Sequence, residues 1–332
     1  MTRPRDRPPA RPARPPHSGP PPRLSDQLVE DLVDAGSREH YADAALYDYE
    51  YRRRRADVTF YREIARRRGA ARILELGAGT GRITVPLARD GRYVVALDQS
   101  AAMLARLGER VARLPPAVAA RITPVSGDLR SFAVGGRFPL VIAAFNVLEH
   151  LYTRGEVAAC LERVAAHLAP GGAFVFDVQL PDLAWLLRDP TKRWARTRFT
   201  DPTTGRTMYY STNHDYDPVS QIALIRLYYE AAGEPPAGKF APAGGQPPGR
   251  PERPGQPGSP GRAPTAPPTR VVKLSQRKFF PAELEALVAH AGFRVTERYG
   301  DFFFRPLDGT AESQVLVCEP APKRPRKRPV FR

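Results

Sequence analysis

The sequence predicts an α/β fold: a doubly wound, mostly parallel seven-stranded sheet with an antiparallel sheet inserted near its end. Three observations lead there. From Ala71 to Val178, short apolar runs alternate with runs of helical periodicity, the pattern of repeated βαβ units with right-handed crossovers. A glycine-rich turn separates the first of these strands from its helix. After Val178 the alternation gives way to longer strands of period two, bounded by turn signals.

Taken in order, residues 26–69 read as a helical cap. Ser25 is placed to cap a stretch with Leu28, Leu32 and Val33 at helical spacing. Residues 38–56 are rich in Tyr and Arg, and Asp57 is placed to cap a helix from Val58 to Arg68 that Gly69 ends. The core, residues 70–180, opens with strand Ile73–Leu76 and a helix through Ile83 and Leu87. Strand Tyr93–Leu97 follows, ending at Asp98, and Ser100 caps a helix carrying Met103, Leu104 and Leu107. Strands Ile122–Val125 and Leu140–Phe145, a helix over 155–168 and strand Ala173–Val178 complete this part, with Pro170-Gly171-Gly172 as the last turn. Residues 181–280 read as an antiparallel insertion with strands at 192–200, 206–217, 220–230 and 269–279. Gly205 and Asp217-Pro218 mark its hairpins. Residues 281–319 return to the core pattern with a helix at 281–291 and strands Phe293–Tyr299 and Ser313–Cys318. Ligands of open α/β sheets bind outside the carboxyl ends of the strands. An insertion leaving from such an end is placed to cover the ligand.

Composition separates the fold from its appendages. Of 37 prolines in 332 residues, 9 fall in residues 1–25, 12 in 232–270 and 4 in 319–332. Those segments also carry most of the formal net charge of +16, namely +5, +3 and +5, which leaves about +3 for the rest. Residues 1–25, 232–268 and 320–332 therefore read as disordered, too polar and proline-rich to bury a core. A basic nucleic-acid face on the fold is not expected, although basic tails can bind polyanions weakly. Cys160 and Cys318 stand far apart in apolar patterns, which argues against a disulfide scaffold and a metal cluster. No secretory leader and no apolar run long enough to span a bilayer is recognisable, so a cytoplasmic setting is expected.

The strongest local signal is Glu75-Leu76-Gly77-Ala78-Gly79-Thr80-Gly81-Arg82, between a strand and a helix. The glycines permit a tight turn and a close backbone approach to a ligand. Arg82 stands where a dinucleotide fingerprint requires glycine, and Arg82-Ile83 where a P-loop requires Gly-Lys. What remains is E-x-G-x-G-x-G, with Asp98 at the end of the next strand. With Leu97-Asp98-Gln99-Ser100-Ala101-Ala102-Met103-Leu104, then Gly127-Asp128-Leu129-Arg130, then Pro170-Gly171-Gly172 before a fifth strand, the sequence resembles the class I S-adenosylmethionine-dependent methyltransferases. The resemblance covers residues 40–180, and more loosely 280–318, where the last strands look like that family's reversed final pair. It implies a Rossmann-like methyltransferase fold and S-adenosylmethionine as cofactor.

The resemblance also implies roles. Gly77, Ala78, Gly79 and Gly81 would line the methionine part of the cofactor, and Glu75 would act through its amino group. Asp98, followed by Gln99, would accept from the ribose hydroxyls. Met103 would flank the adenine, Asp128 would accept from its exocyclic amine and Leu129 would lie beside it. Phe145 and Asn146 would border the sulfonium, and Tyr47 would close over the cofactor. Other readings stay open: Asp98 as a helix cap, Met103 as core, Asp128 as a turn residue, and the tyrosines between 41 and 51 as packing.

Methyl transfer is an in-line displacement with an activated leaving group, so positioning supplies much of the rate. A general base matters when the nucleophile carries a proton it must lose. Glu149 and His150, after the fourth strand, are the candidates, with Tyr209 of the insertion as a third catalytic candidate; His150 as a helix-capping or packing residue is the alternative. An insertion rich in aromatics (Trp194, Phe199, Tyr209, Tyr210, Tyr216, Tyr228) suggests a small-molecule acceptor held by apolar walls and methylated on N or O. The competing functions are a non-catalytic cofactor-binding or interaction protein and a protein or RNA methyltransferase recruited by basic tails.

Overall fold

A computed structural model describes residues 26–232 and 269–322. The disorder expected at 1–25, most of that expected at 232–268 and 320–332, and the Ser25 cap lie outside the described residues. Within them, Pro320 ends the last strand and the Ala321 N–H donates to the Gly292 carbonyl, so the tail begins later than expected.

Three helices come first: α1 (Asp26–Ala42), α2 (Ala44–Tyr51) and α3 (Ala56–Arg67). Asp43 separates α1 from α2 and caps α2, its Oδ1 accepting from the Leu46 N–H at 3.0 Å. Asp57 does not cap α3. That helix begins at Ala56, two residues earlier than expected, and Asp57 lies in its first turn, fully buried and bound to Arg82.

The core then alternates β1 (Arg72–Leu76), α4 (Thr84–Arg89), β2 (Tyr93–Asp98), α5 (Ala101–Val111), α6 (Pro116–Ala119), β3 (Ile122–Ser126), β4 (Phe138–Ala143), α7 (Arg154–His167) and β5 (Leu168–Gln179). Ser100 caps α5, its hydroxyl accepting from the Met103 N–H. Thr153 and Glu156 form a reciprocal capping box at α7, which fixes where that helix starts. After the short helix α8 (Leu183–Leu186) come β6 (Trp194–Thr200), β7 (Thr207–Asp217), β8 (Ile222–Ala231) and β9 (Arg270–Arg277), then α9 (Pro281–His290), β10 (Phe293–Tyr299) and β11 (Ser313–Pro320).

Seven strands form one sheet in the order β10-β11-β5-β4-β1-β2-β3, parallel except for β11, which runs antiparallel to both neighbours. The inner strands β1, β4 and β5 are buried on both faces, which is why they read as continuous apolar runs, whereas the edge strands β3 and β10 are partly exposed. On one face Leu74, Val141, Phe174 and Phe176 pack with α7 and α9 through Leu161, Val164, Leu284 and Val288. On the other Ile73, Leu140, Ile142 and Val175 pack with α3 and α4 through Phe60, Tyr61, Ile64 and Leu87. Cys160 and Cys318 are buried free thiols in the first of these layers.

The insertion is a second sheet, β6-β7-β8-β9, antiparallel throughout. Its apolar face, with Ala223, Ile225, Leu227, Tyr229, Val272 and Leu274, meets Leu46 of α2 and Tyr41 of α1. Helix α1 lies against β9: Glu39 accepts from the Lys273 N–H at 2.9 Å, and the Ser275 hydroxyl donates to the Val33 carbonyl at 2.8 Å. Gly36 is required at that contact, because a Cβ there would lie 2.5 Å from the Ser275 nitrogen. Among the described residues no helix is long and apolar enough to cross a membrane.

The fourth strand ends at Ala143 rather than Phe145. Phe145 and Asn146 take left-handed φ values of 70° and 62°, which a strand cannot accommodate, and a 3₁₀ turn follows over Val147–His150.

Candidate active site

A cavity of about 910 Å³ opens at the carboxyl ends of β1, β2, β3 and β4. One wall is the glycine turn, with Gly77 and Gly79, together with Asp98, Gln99, Ser100 and Met103. A second is Gly127, Asp128, Leu129 and Arg130. Phe145, Val147, His150, Leu151 and Tyr152 form the third, and α1 closes the side opposite with Val33, Asp34, Ser37, Arg38 and Tyr41.

The glycine turn is held from both sides. Asp98 Oδ2 accepts from the Gly79 N–H at 2.7 Å and Oδ1 from the Ser100 N–H at 2.8 Å. Burial nevertheless raises the Asp98 carboxyl above its ordinary range. Gly77, Gly79 and Gly81 all have positive φ, from 56° to 84°. A Cβ on Gly77 would strike Val147 at 2.5 Å, and one on Gly81 would strike Leu107. A Cβ on Gly79 would meet no protein atom within 4 Å. Gly79 lines the cavity, so the space its missing side chain leaves belongs to whatever binds there. The Thr80 hydroxyl donates to Asp48 at 2.6 Å, tying α2 to the turn.

Three of the expected turn residues stand behind the cavity wall rather than on it. Glu75 is 2% exposed and accepts from the Thr84 hydroxyl at 2.6 Å; burial pushes its carboxyl up to about 7. Ala78 and Gly81 pack toward Leu107 and Val85. Met103 is both buried and cavity-lining, so its core and binding readings coexist. Asp128 and Leu129 line the cavity, but the Asp128 carboxylate is gripped by Arg130, with Nε at 2.9 Å from Oδ1 and Nη2 at 2.5 Å from Oδ2. Arg130 also donates to Glu156 at 2.7 Å.

Phe145 lines the cavity and Asn146 stands behind it. Their left-handed turn is stabilised by Asp177, which is 1% exposed in β5. Its Oδ1 accepts from the Phe145 N–H at 2.8 Å and from the Tyr61 hydroxyl at 2.6 Å, and its Oδ2 from the Asn146 N–H at 3.3 Å. Non-glycine residues at such φ cost on the order of 1–3 kcal/mol each and persist only where the surroundings over-determine them. The Phe145 ring faces two guanidiniums, Arg54 at 4.5 Å and Arg82 at 5.1 Å from its centre. Tyr47 lines the cavity next to Tyr51, with ring centres 4.7 Å apart.

The three catalytic candidates separate. His150 is at the cavity wall, its Nε2 2.6 Å from the Tyr41 hydroxyl and its Nδ1 3.2 Å from the Tyr152 hydroxyl. Burial, with His40 and Lys278 nearby, holds its pKa down at about 4, so the ring is neutral. Glu149 points the other way. It is fully buried and does not line the cavity; its Oε2 accepts from the Lys278 ammonium at 2.7 Å and its Oε1 from the Gln179 N–H at 2.9 Å. Tyr209 is also remote. It lies on the face of β7 opposite Tyr210, half-buried beneath the Arg196 guanidinium, which is 4.1 Å from the ring centre. The expected aromatic wall is likewise absent from the cavity, to which the insertion contributes Ser220 and Ile222. Its apolar-face aromatics are spent on packing: Tyr210 against Tyr229, and Trp185 stacked on His214 at 3.8 Å. Helix α1 provides the wall that the insertion was expected to provide.

Tyr152, Ser275, Asp177 and Lys278 escaped the sequence reading as site-building residues. A carboxylate inside the apolar run Phe174–Val178 was a usable signal for Asp177, since an acid there needs buried donors. No comparable signal marked Ser275.

Residues 73–172 match the family model described as a methyltransferase domain. This segment is a methyltransferase domain. It contains the glycine turn, Asp98, Asp128 and His150. Two curated relatives overlap it: a dTDP-3-amino-3,6-dideoxy-alpha-D-glucopyranose N,N-dimethyltransferase of Streptomyces fradiae, 34% identical over 161 residues, and a dTDP-3-amino-3,4,6-trideoxy-alpha-D-glucopyranose N,N-dimethyltransferase of Streptomyces venezuelae, 30% identical over 133. The matches cover 45% and 39% of this chain and only 59% and 52% of the relatives' own lengths. Beyond the methyltransferase domain, the CcbJ methyltransferase from Streptomyces caelestis has the same architecture over 81% of this chain and 90% of its own, with a TM-score of 0.61 and 25% identity.

Proposed function

We propose that this protein transfers the methyl group of S-adenosylmethionine to an amine nitrogen on a small-molecule acceptor. The observation that carries the reading is that one cavity holds both the Gly79–Asp98 cradle and the Tyr41–His150 pair. The residues present fit the cofactor. Gly79 leaves room for a close approach, and each Asp98 oxygen, though engaged with a backbone N–H, keeps a lone pair for a ribose hydroxyl. When bound, S-adenosylmethionine supplies a methyl group on a good leaving group. Gly77 and Gly79 bind its amino-acid end, with Glu75 and Ala78 buried behind the turn and Gly81 shaping it. Tyr47 and Phe145 border the sulfonium side with Asn146 supporting their turn, and Gln99, Met103, Asp128 and Leu129 surround the adenosine.

The chemistry of the cavity favours nitrogen over oxygen. An alcohol must lose a proton, and the site offers no strong free base. Glu149 is committed to Lys278, and burial keeps His150 weakly basic with a pKa of about 4. An amine arrives partly as its ammonium, which an acidic rim attracts, and gives up that proton to water or a rim carboxylate far more readily than an alcohol does. Its free base then has a lone pair and needs orientation and exclusion of water. The rim agrees, because Glu30, Asp34, Asp98, Asp128 and Glu156 outnumber Arg38 and Arg130 around the cavity. The two relatives named for N,N-dimethyl transfer to amino sugars support an amino-sugar acceptor. A reducing, cytoplasmic setting suits the two buried free thiols.

The test is a panel of amino sugars and other small amines incubated with the protein and S-adenosylmethionine, read by mass spectrometry for S-adenosylhomocysteine and a product heavier by one or two methyl groups. Calorimetry with S-adenosylmethionine alone accompanies it. Absence of binding at millimolar ligand refutes the enzyme reading, whereas binding with methylated alcohols as the sole products refutes the nitrogen assignment.

A further inference from the structure

Ser275, on the insertion strand β9, sits where three other segments converge. Its hydroxyl is 2.6 Å from the Tyr152 hydroxyl and donates to the Val33 carbonyl of α1 at 2.8 Å. Its own carbonyl lies 3.2 Å from the Tyr152 hydroxyl, and its backbone nitrogen packs directly on Gly36. The residue is fully buried.

One assignment of protons satisfies every group in a chain of hydrogen bonds that ends at the cavity. The Val33 carbonyl can only accept, whereas the Tyr152 hydroxyl can donate, so in this assignment the single Ser275 hydroxyl proton goes to Val33. The Tyr152 hydroxyl must then donate to Ser275, which leaves its oxygen to accept from His150 Nδ1. A neutral imidazole carries one N–H. With that proton on Nδ1, Nε2 is a bare acceptor, and the Tyr41 hydroxyl donates to it at 2.6 Å. The remaining Tyr41 lone pairs are left for a donor in the cavity that Tyr41 lines.

We propose that Ser275 is a positioning residue of this site: it fixes His150 as the Nδ1–H tautomer through Tyr152 and seats α1 through Val33 and Gly36, so that the Tyr41 oxygen is presented to the acceptor as a hydrogen-bond acceptor. The insertion thereby acts on the site through its last strand and not through its aromatic face. Two points of β9 and its exit flank the histidine: Ser275 holds Tyr152, and Lys278 holds Glu149. The meaning for catalysis rests on the methyl-transfer reading; the tautomer does not.

The experiment is nitrogen-15 NMR of the full chain labelled at its six histidines, with the His150 signals identified as those missing from His150→Phe. In the parent at pH 7.5 the His150 pair is expected to show a protonated Nδ1 and a bare Nε2. Ser275→Ala and, separately, Tyr152→Phe are expected to abolish that single tautomer. With an acceptor found by the panel above, Ser275→Ala should lower kcat by about tenfold to a hundredfold, the cost of a small misplacement, with S-adenosylmethionine affinity within about twofold of the parent, because Ser275 itself does not line the cavity. Should Ser275→Ala fail to fold, Tyr152→Phe, which leaves the α1 seat intact, reads the same signal. A protonated Nε2 in the parent, or an unchanged tautomer in both variants, overturns the proposal. If no acceptor turns over, the methyl-transfer reading falls while the tautomer result still decides the role of Ser275.

Discussion

The Asp98 carboxylate accepts a hydrogen bond from the Gly79 backbone N–H at 2.7 Å, so the residue expected at the ribose also organises the glycine turn. Asp98→Ala removes this bond and the one from Ser100. Hydrogen bonds to charged groups contribute about 1.5–3 kcal/mol. Cofactor affinity is expected to fall by that amount, and unfolding stability by about 1–3 kcal/mol through the unpaired N–H groups. Calorimetry and urea unfolding measure the two losses. Parent-like affinity for S-adenosylmethionine would falsify the ribose assignment.

The glycines of the same turn separate binding from folding. Gly79→Ala adds a methyl into empty cavity space at a φ of 56°, a backbone cost of roughly 1–2 kcal/mol. Gly77→Ala adds the same strain and drives a Cβ to 2.5 Å from Val147. We expect Gly79→Ala to fold and bind S-adenosylmethionine weakly or not at all, and Gly77→Ala to lose substantially more thermal stability. Equal melting temperatures for the two variants would contradict this division.

The contrast between these residues and the rest of the site shows what a sequence makes legible. Strand alternation and the glycine turn are local, so the parallel core, the insertion and the position of Asp98 were readable from periodicity and turn chemistry. The boundary at Phe145 was not, because its left-handed φ depends on Asp177, 32 residues away. Glu149 and His150 are adjacent, and no local pattern tells which of them faces the cavity. The partners decide it: Lys278 takes one and Tyr41 the other, at separations of 129 and 109 residues. Tyr209 failed for a related reason. Alternation told that Tyr209 and Tyr210 face opposite ways, but which face meets the core was fixed by Leu46 and Tyr41, outside the strand.

Lys278 and Glu149 are 1% and 0% exposed at their side chains, and the ammonium also meets Gln179 and Gln276 at 3.0 and 2.9 Å. Removing one partner leaves an uncompensated buried charge, which costs about 3–5 kcal/mol. Lys278→Met should therefore destabilise the protein by that order. Lys278→Met combined with Glu149→Gln should recover much of the loss, since no charge is then stranded. Denaturant unfolding of both single variants and the double variant closes the cycle. Additive losses would mean that the two groups act independently.

Tyr210 packs against Tyr229 on the apolar face of the insertion, whereas Tyr209 lies on the opposite face under Arg196. Truncating a fully buried aromatic costs about 3–5 kcal/mol; Tyr210 is partly buried in the apolar cluster, so Tyr210→Ala should lower stability by less than that range but measurably. Tyr209→Ala should cost clearly less. Neither lines the cavity, so turnover per folded molecule should stay near the parent value in both. A fall in kcat for Tyr209→Ala with unchanged stability would return this residue to the acceptor site.

Glu50 of α2 provides a pH-dependent contact with the insertion. Its Oε1 accepts from the Tyr229 hydroxyl at 2.6 Å. Burial pushes its carboxyl up to about 7 from 4.5, against the lowering effect of the Tyr229 hydrogen bond and of Arg270, with Asp43 adding to the rise. Between pH 4.5 and 7 the folded protein holds this proton while the unfolded chain releases it, so the native state binds more protons there and stability falls as pH rises. The contribution is fully present below pH 4.5 and lost as pH passes 7. Glu50→Gln keeps a carbonyl oxygen for Tyr229 and carries no charge at any pH. The variant should match the parent near pH 5 and exceed it at pH 8 by on the order of 1–3 kcal/mol, since each pKa unit corresponds to about 1.4 kcal/mol. Other buried groups that titrate in this window, Glu75, His40 and His150 among them, are present in both proteins and cancel in the difference. Urea unfolding at pH 5, 6.5 and 8 measures it. A difference that stays constant across the three values would show that Glu50 is ionised in the folded protein throughout, and that the contact between α2 and the insertion does not respond to pH through this residue.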